Sequence, residues 1–229
     1  FALKGENALG TEFMLSSQSF WGNWSYNPTP KSTSHIVATE DGTLVTVTPS
    51  VAIVGHAAGV PFTVSLNEGE TYTIQTIGTS AGNRFGGTTV SSNKPVAVTI
   101  SDDSVVNSTY GSCRDLIGDQ TIPIKNVGSE YVLVKGFLGI NSPQPDRIYI
   151  MAVENGTQVF IDGSSTPVNL AKGATHELTL MNPSVHIESS EPVYVMHITG
   201  FGCEVGMAIV PSISCTGSGE VGFNRSQSG

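Results

Sequence analysis

Five sequence blocks recur in the same order in the two halves of the chain, and this restricts the possible folds more than any other feature. Residues 10–15 (Gly-Thr-Glu-Phe-Met-Leu) match 128–133 (Gly-Ser-Glu-Tyr-Val-Leu), and 36–45 match 150–159. Residues 66–71 match 170–175, 94–98 match 191–195, and the segment from Cys113 to Pro123 matches that from Cys203 to Pro211. Chance produces one such match but hardly five in order, so two related units are expected. Their boundaries fall at 8–125 and 126–216, and 217–229 reads as a polar linker or tail.

The blocks themselves are made of strand and turn residues. β-Branched runs at 36–38, 44–48, 72–76, 96–100, 131–134, 148–153, 158–161, 177–180 and 193–198 are each short and bounded by Gly, Pro, Asn or Asp. That spacing is the signature of a β-sandwich or barrel, and apolar residues do not recur at helical spacing over three turns. Asp41-Gly42 and Asn155-Gly156 have the composition of primed hairpin turns, whose central residues need positive φ. Glu68-Gly69 and Lys172-Gly173 read as a second hairpin turn in each unit. The expected fold is therefore all-β, two tandem homologous β-sandwich-like units in one chain. The first unit is longer because of insertions at 20–33, 51–60 and 102–112, and inserted loops carry function more often than strands do.

Charge excludes some partners. Only 13% of the residues are charged and the net charge is −9, without any Lys/Arg run, so nucleic acid is not an expected ligand. No run approaches the ~18 apolar residues that span a bilayer. Phe1 in place of an initiator Met suggests a processed or excised segment.

These same blocks resemble the IgGFc-binding protein N-terminal domain family. The resemblance rests on Glu40-Asp41-Gly42-Thr43, the Glu-Gly turn between Leu66 and Tyr72, Ser92-Asn93-Lys94-Pro95-Val96, Asp115-Leu116-Ile117-Gly118-Asp119-Gln120, and Gly128-Ser129-Glu130-Tyr131. It covers about residues 10–215. The stretch Gly200-Phe201-Gly202-Cys203 to Cys215-Thr216-Gly217 resembles the bacterial branch, found in large secreted surface proteins of gliding bacteria with type IX secretion. The resemblance implies an extracellular setting and a binding or adhesive role.

Several constellations could carry chemistry. Phe20, Trp21, Trp24 and Tyr26 gather both tryptophans of the chain in one insertion. Aromatics stack on sugars and dominate protein hot spots, so these four are the candidate ligand-binding residues, with plugging of a sandwich edge or of the seam between units as the structural alternative. Asp102, Asp103, Asp115 and Asp119 are a candidate calcium site, since calcium takes several oxygen ligands; no other cofactor is expected. Three cysteines in a secreted chain favour one disulfide. Cys203–Cys215 would close a short loop, and Cys113–Cys203 is the rival if the units pack about a pseudo-twofold axis. Asn23, Asn107, Asn155 and Asn224 begin N-x-S/T sequons. No Gly-x-Ser-x-Gly elbow is present, and His35, His56, His176, His186 and His197 nominate no catalytic triad.

The chain is thus expected to be a secreted, cell-surface adhesion or ligand-binding module of a larger protein, not an enzyme. Its expected partners are host or cell-surface glycans, glycoproteins or other surface proteins. A structural spacer or fibre subunit is the alternative, and a secreted hydrolase ranks third.

Overall fold

The computed structural model describes residues 3–106, 113–139 and 142–215, which are all-β, their helical pieces being short 3-10 turns. In the first half β1 (Gly10–Met14), β2 (Ser32–Ala38), β3 (Thr43–Thr48), β4 (Phe62–Leu66), β5 (Thr71–Gln75), β6 (Thr89–Val106) and β7 (Arg114–Gln120) are joined by one hydrogen-bond network. The long strand β6 holds it together. Its early residues pair with β1 and β3, and from Val96 onward it pairs with β2 and then β7. A strand that changes partners in this way makes the corner between two layers, here β4-β3-β6-β1 and β5-β2-β6-β7. Pro95 sits at the change, where a missing N–H costs least.

The second half contains β8 (Glu130–Val134), β9 (Phe137–Leu138), β10 (Asp146–Ala152), β11 (Thr157–Ile161), β12 (Val168–Leu170), β13 (Thr175–Leu180), β14 (Ser184–Ser189), β15 (Val193–Gly202) and β16 (Glu204–Val210). It forms the sheets β12-β11-β14-β8 and β13-β10-β15-β16, with β9 added beside β15. The pairing order follows that of the first half. The strands β14 and β15 stand where the two parts of β6 stand, now separated by a turn containing Pro192.

The Gly turns differ from the sequence expectation. Gly42, Gly69, Gly156 and Gly173 all have positive φ, but none closes a hairpin. β2 pairs with β5 and β6, whereas β3 pairs with β4 and β6, so Asp41-Gly42 carries the chain across the core from one layer to the other. Glu68-Gly69 carries it back. A left-handed glycine serves any tight reversal, and the flanking apolar runs look alike whether they pair edge to edge or pack face to face. The two arches brace each other: Glu68 N–H donates to Asp41 Oδ1 at 3.0 Å, and Gly69 N–H donates to Ala38 O at 2.9 Å. In the second half Lys172 N–H donates to Asn155 Oδ1 at 3.0 Å and Gly173 N–H to Ala152 O at 2.8 Å.

The halves share a core. Tyr149, Met151 and Val153 of the β10 run, with Tyr194, Met196 and Ile198 of β15, pack in one cluster with Phe13, Ile36, Val98 and Ile100 of the first half. The alternate residues Ile148, Ile150, Val193 and Val195 face the second half's own core with Tyr131 and Ile187. Being buried on both faces explains why 148–153 and 193–196 are continuous apolar runs and not alternating ones. Among the described residues no helix is long and apolar enough to cross a membrane.

A candidate binding surface on the aromatic insertion

The insertion between β1 and β2 is fixed from beneath by a buried carboxylate. On β6 the alternation Val96, Val98, Ile100 points inward, and Asp102 continues it into the interior. Its oxygens accept hydrogen bonds from Gln18 Nε2 (2.6 Å), Asn23 Nδ2 (2.6 Å) and Ser32 Oγ (2.7 Å), and its charge is met by Arg84 Nε at 3.1 Å. The same side chains hold the insertion's backbone. Gln18 Oε1 accepts from the N–H groups of Phe20 and Trp21, and Arg84 Nη2 donates to Trp21 O at 2.6 Å. An unpaired buried carboxylate would be very unfavourable; here ion pairing and hydrogen bonds give the loop one geometry.

That geometry divides the four aromatics. Trp21 is 5% exposed and belongs to the core. Phe20 is 43% exposed, packs edge-on against Trp21 with centroids 5.1 Å apart, and carries the Arg147 guanidinium 3.1 Å over its ring. Arg147 lies on β10 and is ion-paired with Glu177, so Phe20 also helps to cover the seam between the halves. Trp24 and Tyr26 are 42% and 52% exposed. Arg114, the first residue of β7, stacks 4.0 Å over the Trp24 ring, an arrangement that holds both side chains flat.

Beside this ledge runs an open groove of about 430 Å³ lined by Pro28, Lys31, Thr33, Gln75, Ser101 and Leu116, among others. Its floor is the outward row of the β5-β2-β6-β7 layer, where Thr33 is opposite both Gln75 and Ser101. Thr33 and Ser101 hydroxyls are 2.7 Å apart. Alternation places Leu116 on the same side of β7 as Arg114, which joins the groove to the stacked tryptophan. The exposed aromatics were legible in the sequence. Arg114 and the polar floor were not, although the inward parity of Val98 and Ile100 is the signal that places Thr99 and Ser101 outside.

The four aspartates expected to share a cation do not converge. Asp102 is occupied as described, and Asp103 is exposed and accepts from Ser104 Oγ. Asp115 and Asp119 reach instead to β16, the edge strand of the second half. Val205 N–H donates to Asp115 Oδ2 at 3.0 Å, and Ile209 N–H to Asp119 Oδ2 at 2.7 Å. These carboxylates do for an edge strand part of what a neighbouring strand would do, capping two N–H groups four residues apart. Lys4 is ion-paired with Asp119. Burial, together with the neighbouring Glu204, pushes the Asp115 carboxyl up to about 6. The expected insertion at 102–112 is likewise shorter than its sequence suggested, since β6 continues to Val106 and 107–112 lie outside the described residues.

The disulfide is a correction. Cys203 bonds Cys113, with Cα atoms 5.7 Å apart, and not Cys215. Cys203 occupies the turn between β15 and β16, so seven extended residues of β16 carry the chain roughly 20 Å away before Cys215. The strand β7 runs beside β16, and all three ties join residues 90 positions apart: Cys113–Cys203, Asp115–Val205 and Asp119–Ile209. The equal separation means that β7 and β16 lie parallel and in register across the seam. Of the sequon asparagines, Asn23 has its side chain in the Asp102 network, and Asn107 and Asn224 lie outside the described residues.

A hydrolytic site would need a His or carboxylate pair facing a cleft. His197 Nε2 does contact Asp146 Oδ2 at 2.9 Å, but Asp146 is fully buried and also accepts from Gly136 N–H. The pair anchors the β8–β10 connection to β15, and neither residue lines the groove.

No curated protein and no solved structure matches the chain. The family model described as IgGFc binding protein matches residues 1–227. The chain belongs to the IgGFc-binding protein family, a family of extracellular binding domains.

Proposed function

We propose that this chain is an adhesion or ligand-binding module of a larger, secreted bacterial surface protein, built from two duplicated β-sandwich units. Its ligand contacts are made by Trp24, Tyr26 and the adjoining groove, and its ligand is a glycan or glycoprotein. The observation that carries the reading is the exposure of Trp24 and Tyr26 on a loop locked by the buried Asp102–Arg84 network. Large aromatic rings left in water on a fixed backbone offer contact area at little ordering cost. The groove beside them includes the hydroxyls of Thr29, Thr33 and Ser101 and the amide of Gln75 in its lining, groups that suit the hydroxyls of a sugar. Membership of an extracellular binding family supports the same reading.

The test is a glycan and glycoprotein array probed with the intact protein, then with Trp24→Ala and Tyr26→Ala. Binding by the parent and loss in both variants, at unchanged melting temperature, is the expected result. An array that stays blank would overturn the proposal. The spacer reading draws support from the seam, where a disulfide, two carboxylate caps and a common core make the halves one stiff body. It requires no ligand, and a blank array with Trp24→Ala as stable as the parent would favour it.

A further inference from the structure

The outward face of the β8–β14 pair gathers Glu130, His186 and Glu188. Glu130 and Glu188 are directly opposite in register, and His186 precedes Glu188 by one alternation on the same face. His186 Nε2 lies 3.0 Å from Glu130 Oε1, and Nδ1 lies 3.9 Å from Glu188 Oε2. One donor atom from each of the three residues falls within 4.8 Å of the other two. We infer that these side chains form a binding site for a divalent first-row transition ion of the zinc type.

Two arguments beyond proximity point to a ligand. Like charges directly opposite on paired strands are destabilising, and Glu130 faces Glu188 directly across the β8–β14 pair. The architecture does not require this pairing either. In the first half the corresponding strands place Glu12 opposite Ser91 and Met14 opposite Thr89. The equivalent places in the second half hold Glu130 opposite Glu188 and Val132 opposite His186. The same fold is therefore built without a carboxylate pair and without an imidazole.

The ligand set selects the ion. Imidazole with carboxylates suits zinc, copper or nickel, whereas calcium takes six to eight oxygens. Zinc at ~2.0–2.2 Å from each donor needs donors about 3.4 Å apart; Glu130 Oε1 is already 3.0 Å from His186 Nε2, and the exposed Glu188, now nearer Nδ1, must swing toward that same nitrogen to share the ion. Backbone hydrogen bonds of the β8–β14 ladder fix all three α-carbons, and such rigidity lowers the cost of that movement. Three protein ligands leave a fourth tetrahedral position open.

The experiment is calorimetric titration of the chelator-treated intact protein with zinc, and with calcium as the comparison. One zinc per chain and no calcium at this site are expected. His186→Ala and Glu188→Gln should each weaken zinc binding by at least about tenfold, the loss that even an outer-shell partner commonly costs. All three residues are at least partly exposed, so circular dichroism of the variants should match the parent. In histidine-selective NMR, His186 should be the imidazole that shifts on zinc addition. Absence of binding at micromolar zinc overturns the proposal, and so does stoichiometric binding that persists in His186→Ala. The aromatic surface is on the other half, so glycan binding by the zinc-free protein tests the functional proposal separately.

Discussion

Removing the Asp102 carboxylate should destabilise the molecule as a whole and release the insertion that carries Trp24. In Asp102→Ala the Arg84 guanidinium keeps its burial and loses its counter-charge, a change that costs about 3–5 kcal/mol. Donors on Gln18, Asn23 and Ser32 lose their acceptor at the same time, each costing about 1–3 kcal/mol if it stays unsatisfied. These losses overlap, because Gln18 and Asn23 can turn to remaining acceptors such as Trp21 O and Asp103 O. A combined loss of about 4–5 kcal/mol is expected, a large share of the ~5–15 kcal/mol that holds a typical domain. The assay is denaturant unfolding followed by tryptophan fluorescence, with Trp21 reporting from the core and Trp24 from the surface. The double variant Asp102→Ala/Arg84→Met should recover much of the loss, because it removes the stranded charge along with its partner. A loss under about 1 kcal/mol in Asp102→Ala, well below what such a pair costs to break, would refute the reasoning.

Other perturbations test the seam and the floor of the groove. Because the folded-state pKa of Asp115 is raised to about 6, its contribution to stability is full below the unfolded value and is lost as pH rises through about 6. Asp115→Asn keeps an acceptor for Val205 N–H and cannot ionise, so it should raise the melting temperature at pH 7–8 and leave it nearly unchanged near pH 4. Cys113→Ser with Cys203→Ser opens a link between residues 90 positions apart. The chain-entropy model puts that loss at about 4–5 kcal/mol, measurable by denaturant unfolding with and without reductant. Gly118→Ala places a Cβ 2.8 Å from Ile100 O, so a loss of about 1–3 kcal/mol is expected from overpacking, read from the shift in denaturation midpoint.

Much of this architecture is written locally. Seven of the nine β-branched runs fall within strands, 72–76 and 148–153 each overrun theirs by one residue, and the four turn glycines take the positive φ that their neighbours called for. What those turns connect is not local. Asp41-Gly42 joins β2 to β3 in either arrangement, and the choice between hairpin and arch is made by β6, some fifty residues later, which takes a place beside both strands. The site divides in the same way. The aromatic cluster is conspicuous because it is compositionally rare, whereas the burial of Trp21 and the exposure of Trp24 depend on Arg84 and Asp102. Asp115 and Asp119 show parity with the buried Ile117, which says that they face inward, but β16 is chosen by the packing of the two halves. The pairing of the cysteines follows from that packing too, since Cys113 and Cys203 meet only once β7 and β16 lie side by side.

The central claim is that the exposed part of the aromatic insertion binds an extracellular ligand while its buried part holds the fold. It is tested most directly by measuring affinity and melting temperature together for Trp24→Ala and Trp21→Ala, with a ligand drawn from the glycoprotein array. The account predicts that Trp24→Ala loses affinity at unchanged stability, and that Trp21→Ala loses about 3–5 kcal/mol of stability, the usual cost of deleting a buried aromatic. Unchanged affinity in Trp24→Ala, or an unchanged melting temperature in Trp21→Ala, would contradict it.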